Sequence, residues 1–234
     1  WLILLVGVLG VVNALAFQRA TMLASPMLPF SVGAIVIGLF FIASPGTLAA
    51  LVGMIVCVML MVAGIGNRAV TADALGPETA DKVFVTRHLC EGAGAQDLRM
   101  RPVAAFAPGV EATTGLATAE LLQSLTAKLK PVAVLCVDSL CTASSRRLGA
   151  SVQISTAGLT PNNAPALTRQ SLGTQVVALG VPTVMEVDNG ARALVVTPKD
   201  IDAIIRRAAN LLSLAINKAL QPAFSVGELS FLTS

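Results

Sequence analysis

The chain has 234 residues, of which 55% are hydrophobic and only 12% charged, and its formal net charge is +3. That is too apolar for an ordinary soluble domain, and a mild, dispersed charge with no basic patch interleaved with aromatics excludes a nucleic-acid-binding surface. Nearly all charges fall after Asn67, so an apolar front precedes a remainder of about 165 residues, enough for one domain with its own core.

The front has no Asp, Glu, Lys, Arg or His from Ala20 to Asn67. Its stretches Leu2–Phe17, Met27–Ala43 and Leu48–Gly66 each approach the roughly 20 residues that span a bilayer. None shows the polar face of a core helix. A cleavable signal peptide fits poorly, because no basic region precedes Leu2. Residues 1–57 therefore read as an apolar region with two transmembrane helices, or three if Leu48–Gly66 is helical throughout. Composition alone does not separate that third helix from a buried parallel strand, which is also a continuous apolar run. We take Met59–Ile65 as a strand, residues 58–221 as the folded domain and 222–234 as a tail.

The elements after Asn67 alternate. Gly76-Pro77-Glu78 reads as a helix start, with Pro at the first helical position and acids in the first turn, and the helix runs to about His88. Pro102–Ala107 is a short strand. Leu116–Lys130 is a helix with Leu121, Leu122, Leu125 and Leu129 on one face, stopped by Pro131. Val132–Val137, Ser151–Ser155 and Gln175–Val181 are further strands. Thr197-Pro198-Lys199-Asp200 resembles a capping box, and the helix after it carries Ile201, Ile204, Ile205, Ala208, Leu211, Leu212 and Ala215 at helical spacing. Strands alternating with helices imply an α/β fold with a mostly parallel sheet flanked by helices.

Two acids follow apolar strands. Asp73 lies in GIGNRAVTADALGP and Asp138 in PVAVLCVDSL. Open α/β sheets bind ligands beyond the carboxyl ends of their strands. Two carboxyl groups delivered there share one proton, because close like charges resist ionising together, and that is the basis of aspartic peptidase chemistry. The competing reading is that each Asp caps a helix or closes a turn.

Other chemistry is thinly represented. Cys57, Cys90, Cys136 and Cys141 form no CxxC, and the single histidine, His88, completes neither a zinc site nor a cysteine or serine triad. Unpaired cysteines suggest a reducing compartment. GVEATTG, from Gly109 to Gly115, lacks the Lys of a phosphate loop. No metal and no cofactor are expected.

Several blocks resemble the germination protease family, the spore endopeptidases of endospore-forming bacteria. They are VTADALGPETADKVFVTRHL (Val70 to Leu89), RPVAAFAPGVEATTGLATAELLQSLTAKLKPVAVLCVDSLCTASSRRLGASVQIS (Arg101 to Ser155), LGTQVVALGVPTVMEV (Leu172 to Val187) and LVVTPKDIDAIIRRAANLLSLAINKAL (Leu194 to Leu220). The resemblance runs from about Met59 to Leu220. It implies an atypical aspartic-type endopeptidase with a fold like that of the hydrogenase maturation peptidases. It places the catalytic acids at Asp73 and Asp138, and small acid-soluble spore proteins as substrates. It also implies a homo-oligomer. The implied substrates and the unpaired cysteines place the peptidase domain in the cytoplasm or spore core, and the apolar front, which is no part of the resemblance, would hold it to a membrane. Asn67, Arg87, His88, Gly109, Thr114 and Gly115 are the candidate substrate-binding residues. Arg87 would hold a carboxylate or carbonyl, and the Gly109–Gly115 stretch would present backbone N–H groups to a peptide.

The chain departs from the family pattern in four places. Ala72 stands where the family has Pro. Thr156 and Thr160 replace an Asp and a His in the loop after QIS. A segment before VTPKD is shortened to Asp188–Ala193, and the family's polar N-terminal region with its propeptide is missing. The alternatives are a metal-dependent maturation peptidase, a membrane-tethered interaction module without catalysis, and a membrane protein acting through its apolar half. The last lacks any intramembrane charge to mark a transport path.

Overall fold

In the computed structural model, which describes residues 59–90, 100–161, 165–188 and 193–233, the contested apolar run ends as a strand, β1, over Leu60–Gly64. A third membrane helix through Gly66 is thereby ruled out. The helices expected over residues 1–57 lie outside the described residues. Among those described, no helix is long and apolar enough to cross a membrane.

Beyond β1 the chain forms α1 (Leu75–Asp81), α2 (Arg87–Cys90), β2 (Val103–Phe106), α3 (Glu111–Thr114) and α4 (Thr118–Leu129). It continues as β3 (Ala133–Thr142), β4 (Gln153–Ser155), α5 (Arg169–Leu172), β5 (Gln175–Asp188), β6 (Ala193–Val196), α6 (Ile201–Leu220) and α7 (Val226–Leu232). The sheet order is β2-β1-β3-β5-β4, with β6 also pairing β5. The four strands β2, β1, β3 and β5 are parallel, whereas β4 and β6 run antiparallel to β5. The α/β reading with a mostly parallel sheet therefore holds.

The parallel strands are apolar where both faces are covered, over β1, β2 and the first halves of β3 and β5. Successive residues of β1 enter different cores. Val62 packs with Leu75, Ile205, Ala209 and Leu212 under α1 and α6. Met61 and Ala63 pack with Ala119, Leu122 and Leu172 under α4 and α5. Full burial of such a side chain stabilises by roughly 1.5–3 kcal/mol.

Several local expectations are corrected. The helix read as reaching His88 stops at Asp81, and Pro77 is its third residue rather than its first. Proline is tolerated there because the first four N–H groups of a helix have no intrahelical partner. What ends α1 is a distant side chain. Asn217 of α6, 1% exposed, donates Nδ2 to the Lys82 carbonyl at 2.9 Å and accepts the Phe84 N–H on Oδ1 at 2.8 Å. We expect Asn217→Ala to cost roughly 2–4 kcal/mol, read as a lower denaturant midpoint at unchanged slope, because it strands two half-buried backbone groups and leaves a gap where a buried side chain stood.

The capping box proposed before α6 does not form. Asp200 is the N-cap but makes no side-chain cap bond, and its φ of −97° and ψ of 25° are not the extended geometry that aims a cap at the helix. Of the residues read onto the core face of α6, Leu211 is 62% exposed, and the buried stripe is Ile205, Ala209, Leu212, Ile216 and Leu220. Residues 222–233, read as a tail, hold α7, which is started by a Ser225–Glu228 capping box and buries Leu229.

Candidate active site

The site begins where β1 ends. Ile65 makes the last ladder bond to β3, its N–H donating to the Val137 carbonyl at 2.8 Å. Gly66 then turns the chain with φ +123°, a conformation that favours glycine. A Cβ there would also sit 2.1 Å from the Asp73 carbonyl oxygen. Asn67 and Val70 close the turn, and Thr71–Asp73 form a short 3-10 turn leading into α1. The Asn67 backbone N–H donates to Asp73 Oδ2 at 2.7 Å, which fixes the carboxyl group.

The second acid comes from β3. Asp138 lies inside that strand rather than past its end, because β3 runs on to Thr142. Its neighbour β1 has already stopped, with Gly64 opposite Val137. Asp138 is thus level with the carboxyl edge of the shorter strands. The Ser139 backbone N–H donates to its Oδ1 at 2.8 Å.

Asp73 and Asp138 line one cavity of about 530 Å³, within the range of ligand sites. Both carboxyl groups hold their protons more tightly than usual. Burial pushes Asp138 up to about 7, the Ser139 N–H pulls against it, and the negative charge of Asp73 pushes further in the same direction. Burial raises Asp73 too, opposed by the Asn67 N–H. Beneath them the buried Cys136 thiol is pushed up to about 12, by burial and then by Asp138. It therefore stays protonated and is no nucleophile. Among the described residues no three His, Cys, Asp or Glu side chains stand close enough to hold a metal ion.

The candidate substrate-binding residues are distributed unevenly. Asn67 holds Asp73 through its backbone, while its side chain accepts the Ala69 N–H at 3.0 Å. Gly109, Thr114 and Gly115 lie in the loop and short helix after β2, on the carboxyl side of the sheet. There the loop contributes Val110 to the cavity, and the Thr114 hydroxyl is spent on Val110 and Leu116. Arg87 and His88 are not brought to the site. They follow Thr86, whose N–H bonds the carbonyl of Val103 at the start of β2, so α2 sits at the amino edge of the sheet. The reason is topological. A helix that leaves the carboxyl edge returns the chain to the opposite one.

Three further contributors were not singled out from sequence. Thr183 stands at a break in register, where β5 shifts between the Leu140/Pro182 and Cys141/Val184 pairs. Its buried hydroxyl donates to the Ala72 carbonyl at 2.7 Å and ties the Asp73 turn to the sheet. Gln153 of β4 and Val195 of β6 also line the cavity. Thr160, the replacement in the altered loop, lies on its wall. A bulge is the sort of irregularity that periodicity cannot announce.

Fold and site together define an α/β domain with two carboxyl groups lining one cavity at the carboxyl edge of parallel strands. A sequence profile described as germination protease matches residues 51–192. The chain is similar to the germination proteases of Caldanaerobacter subterraneus subsp. tengcongensis (34% identical, covering 73% of this chain and 68% of the relative) and Clostridium perfringens (35%, 69% and 66%). It is also similar to the germination protease of a Geobacillus species (38% identical, covering 62% of this chain and 39% of the relative). The chain spans about two thirds of the length of the first two relatives. Among solved structures it is similar to the [NiFe] hydrogenase maturation protease HycI from Thermococcus kodakarensis, at 17% identity and TM-score 0.37, with 69% of this chain and 93% of that one covered. The hydrogenase maturating endopeptidase HybD from E. coli gives 13% identity, the same TM-score of 0.37 and the same coverage. This chain belongs to the germination protease family.

Proposed function

We propose that the chain is an endopeptidase in which Asp73 and Asp138 together activate water, and that its substrates are the small acid-soluble spore proteins degraded at germination. The observation that carries this reading is the shared cavity in which the charge of Asp73 makes Asp138 harder to ionise. The pair titrates as a unit. With one proton on the pair, the more buried Asp138 keeps it and Asp73 is ionised.

Asp73 then takes a proton from water as the water oxygen attacks the scissile carbonyl carbon. Asp138 gives its proton to the carbonyl oxygen. When the tetrahedral adduct collapses, Asp138 recovers that proton and Asp73 passes its own to the departing amine, so the pair is restored. Family membership supports the substrate class. Digestion of a small acid-soluble spore protein by the full chain, followed by mass spectrometry, tests the proposal, and an intact substrate contradicts it.

The pH dependence follows from the same pair. Asp138 is protonated below about 7 and loses its proton above it. Cleavage is therefore expected to fall as pH rises through about 7, reading out as a descending limb of kcat/KM. On the acid side, activity falls once Asp73 is protonated too. That limb is displaced upward from where an unperturbed aspartate would put it, because burial also raises Asp73. A profile still rising above neutrality would contradict the assignment of the proton to Asp138.

A further inference from the structure

One strand that lines the cavity has an edge with no strand beside it among the described residues. In the register of β1 against β3, the last pair is Gly64 with Val137. On its other side β3 stays paired with β5 as far as Thr142 and Met185. From Ser139 to Thr142, then, β3 is flanked by a strand on one side only. Among the described residues no strand pairs with the edge that faces the line of β1.

The backbone groups on that edge can be identified. Val137 turns its carbonyl to β1, where it accepts the Ile65 N–H. Backbone groups of a strand alternate sides with a period of two. The register break after Leu140 puts its extra residue, Thr183, on β5, so β3 keeps the alternation. Ser139 and Cys141 therefore turn theirs the same way, while Leu140 serves β5. The Ser139 N–H is already taken by Asp138 Oδ1. That leaves the Ser139 carbonyl, the Cys141 N–H and the Cys141 carbonyl, two acceptors flanking one donor. Ser139, Leu140 and Cys141 all line the cavity that holds Asp73 and Asp138, and Cys141 is exposed. A free strand edge of this kind is a template for an incoming strand.

We propose that an extended segment of the substrate docks as an added strand on β3 at Ser139–Thr142, in the line vacated by β1, so that its main chain is led to the two aspartates. This rests on the reading of the cavity as a peptidase site. The occupant is a polypeptide in extended form. A segment still folded as helix has its N–H and C=O groups paired internally and cannot take the edge. Recognition is mainly of the main chain, with Val70, Val110 and Leu140 in the cavity wall meeting its side chains. The substrate must therefore be unfolded locally, or lack stable structure, where it is cut.

The test uses main-chain methylation. Overlapping synthetic segments of a small acid-soluble spore protein are titrated against the full chain carrying both Asp73→Asn and Asp138→Asn, so that binding is read without cleavage. The tightest segment is then N-methylated one residue at a time. Strand addition predicts a period of two. Methylation at two residues, spaced two apart, each weakens binding about tenfold, the loss of one hydrogen bond, while the residue between them is tolerated. The same alternation appears in kcat/KM with the wild-type chain at positions other than the scissile amide. Equal tolerance at all positions, or sensitivity without alternation, overturns the docking mode. So does the failure of every segment to bind, the result expected if a second copy or the chain's own N-terminal residues cover the edge. Alternating binding with no cleavage by the wild type leaves the docking mode standing and overturns the peptidase reading instead.

Discussion

Asp73→Asn and Asp138→Asn are each expected to lower cleavage of a small acid-soluble spore protein by roughly 10²–10⁴-fold, the contribution of a positioned general acid or base. Both substitutions keep shape and hydrogen bonding. The Asn67 N–H and the Ser139 N–H each still find a side-chain oxygen at the same place. The fold should therefore survive, and the loss should appear in kcat rather than in expression or melting. The two variants should differ in stability. Asp138 titrates at about 7 in the fold and at 3.8 when unfolded. Between those values the native state holds a proton that the unfolded chain has lost, so stability is full below about 4 and falls as pH rises to about 7. The total is on the order of 4 kcal/mol. Asp138→Asn removes this penalty. It should be more stable than wild type at neutral pH, with a flatter dependence on pH, while being inactive. Full activity in either variant would end the two-carboxylate mechanism.

Gly76→Ala is expected to be among the most damaging single methyl additions in the domain. A Cβ at Gly76 would lie 2.1 Å from the Ile65 carbonyl oxygen and 2.5 Å from that of Val137. The reciprocal residue, Gly64, would place its Cβ 2.1 Å from the Gly76 carbonyl oxygen. All these contacts are to main chain at the crossing of β1, β3 and α1, so no rotamer change relieves them. Separating the elements opens the core around Val62, Leu75 and Val137 and moves the turn that carries Asp73. We expect a loss of roughly 3 kcal/mol or more for Gly76→Ala and for Gly64→Ala, read by denaturant unfolding. Gly173→Ala, whose Cβ would meet nothing within 4 Å, should cost only its strained φ of +67°, on the order of 1 kcal/mol. A Gly76→Ala protein as stable as wild type would mean that the helix does not cross the strand this closely.

The parallel layer was legible because buried strands are continuous apolar runs; β1 and β2 lie within a residue of where their valines and alanines suggested, and β3 starts within one residue of it but ends five residues later. The two acids were legible for the same reason, since each follows such a run. What escaped depended on contacts far apart in sequence. The end of α1 is set by Asn217, some 135 residues away, and no local signal near Lys82 anticipates it. The extension of β3 past Asp138 depends on β5, whose own extension passes through the bulge at Thr183. Arg87 and His88 were attractive as chemistry, but their place at the amino edge follows from the direction in which α1 returns. Ser225 and Glu228 carry a readable capping signature within the stretch taken above as a tail.

The central claim is that the two carboxyl groups act as one titrating pair, and the direct measurement is a pH titration of the Asp138 carboxyl carbon by NMR on ¹³C-labelled protein. The signal is assigned by its disappearance in Asp138→Asn. The account predicts a midpoint near 7 in the wild type. In Asp73→Asn the midpoint should move down, but only part of the way to 3.8, because the neighbouring charge is gone while the larger effect of burial remains. A midpoint in the ordinary carboxylate range, or one unmoved by Asp73→Asn, would contradict it.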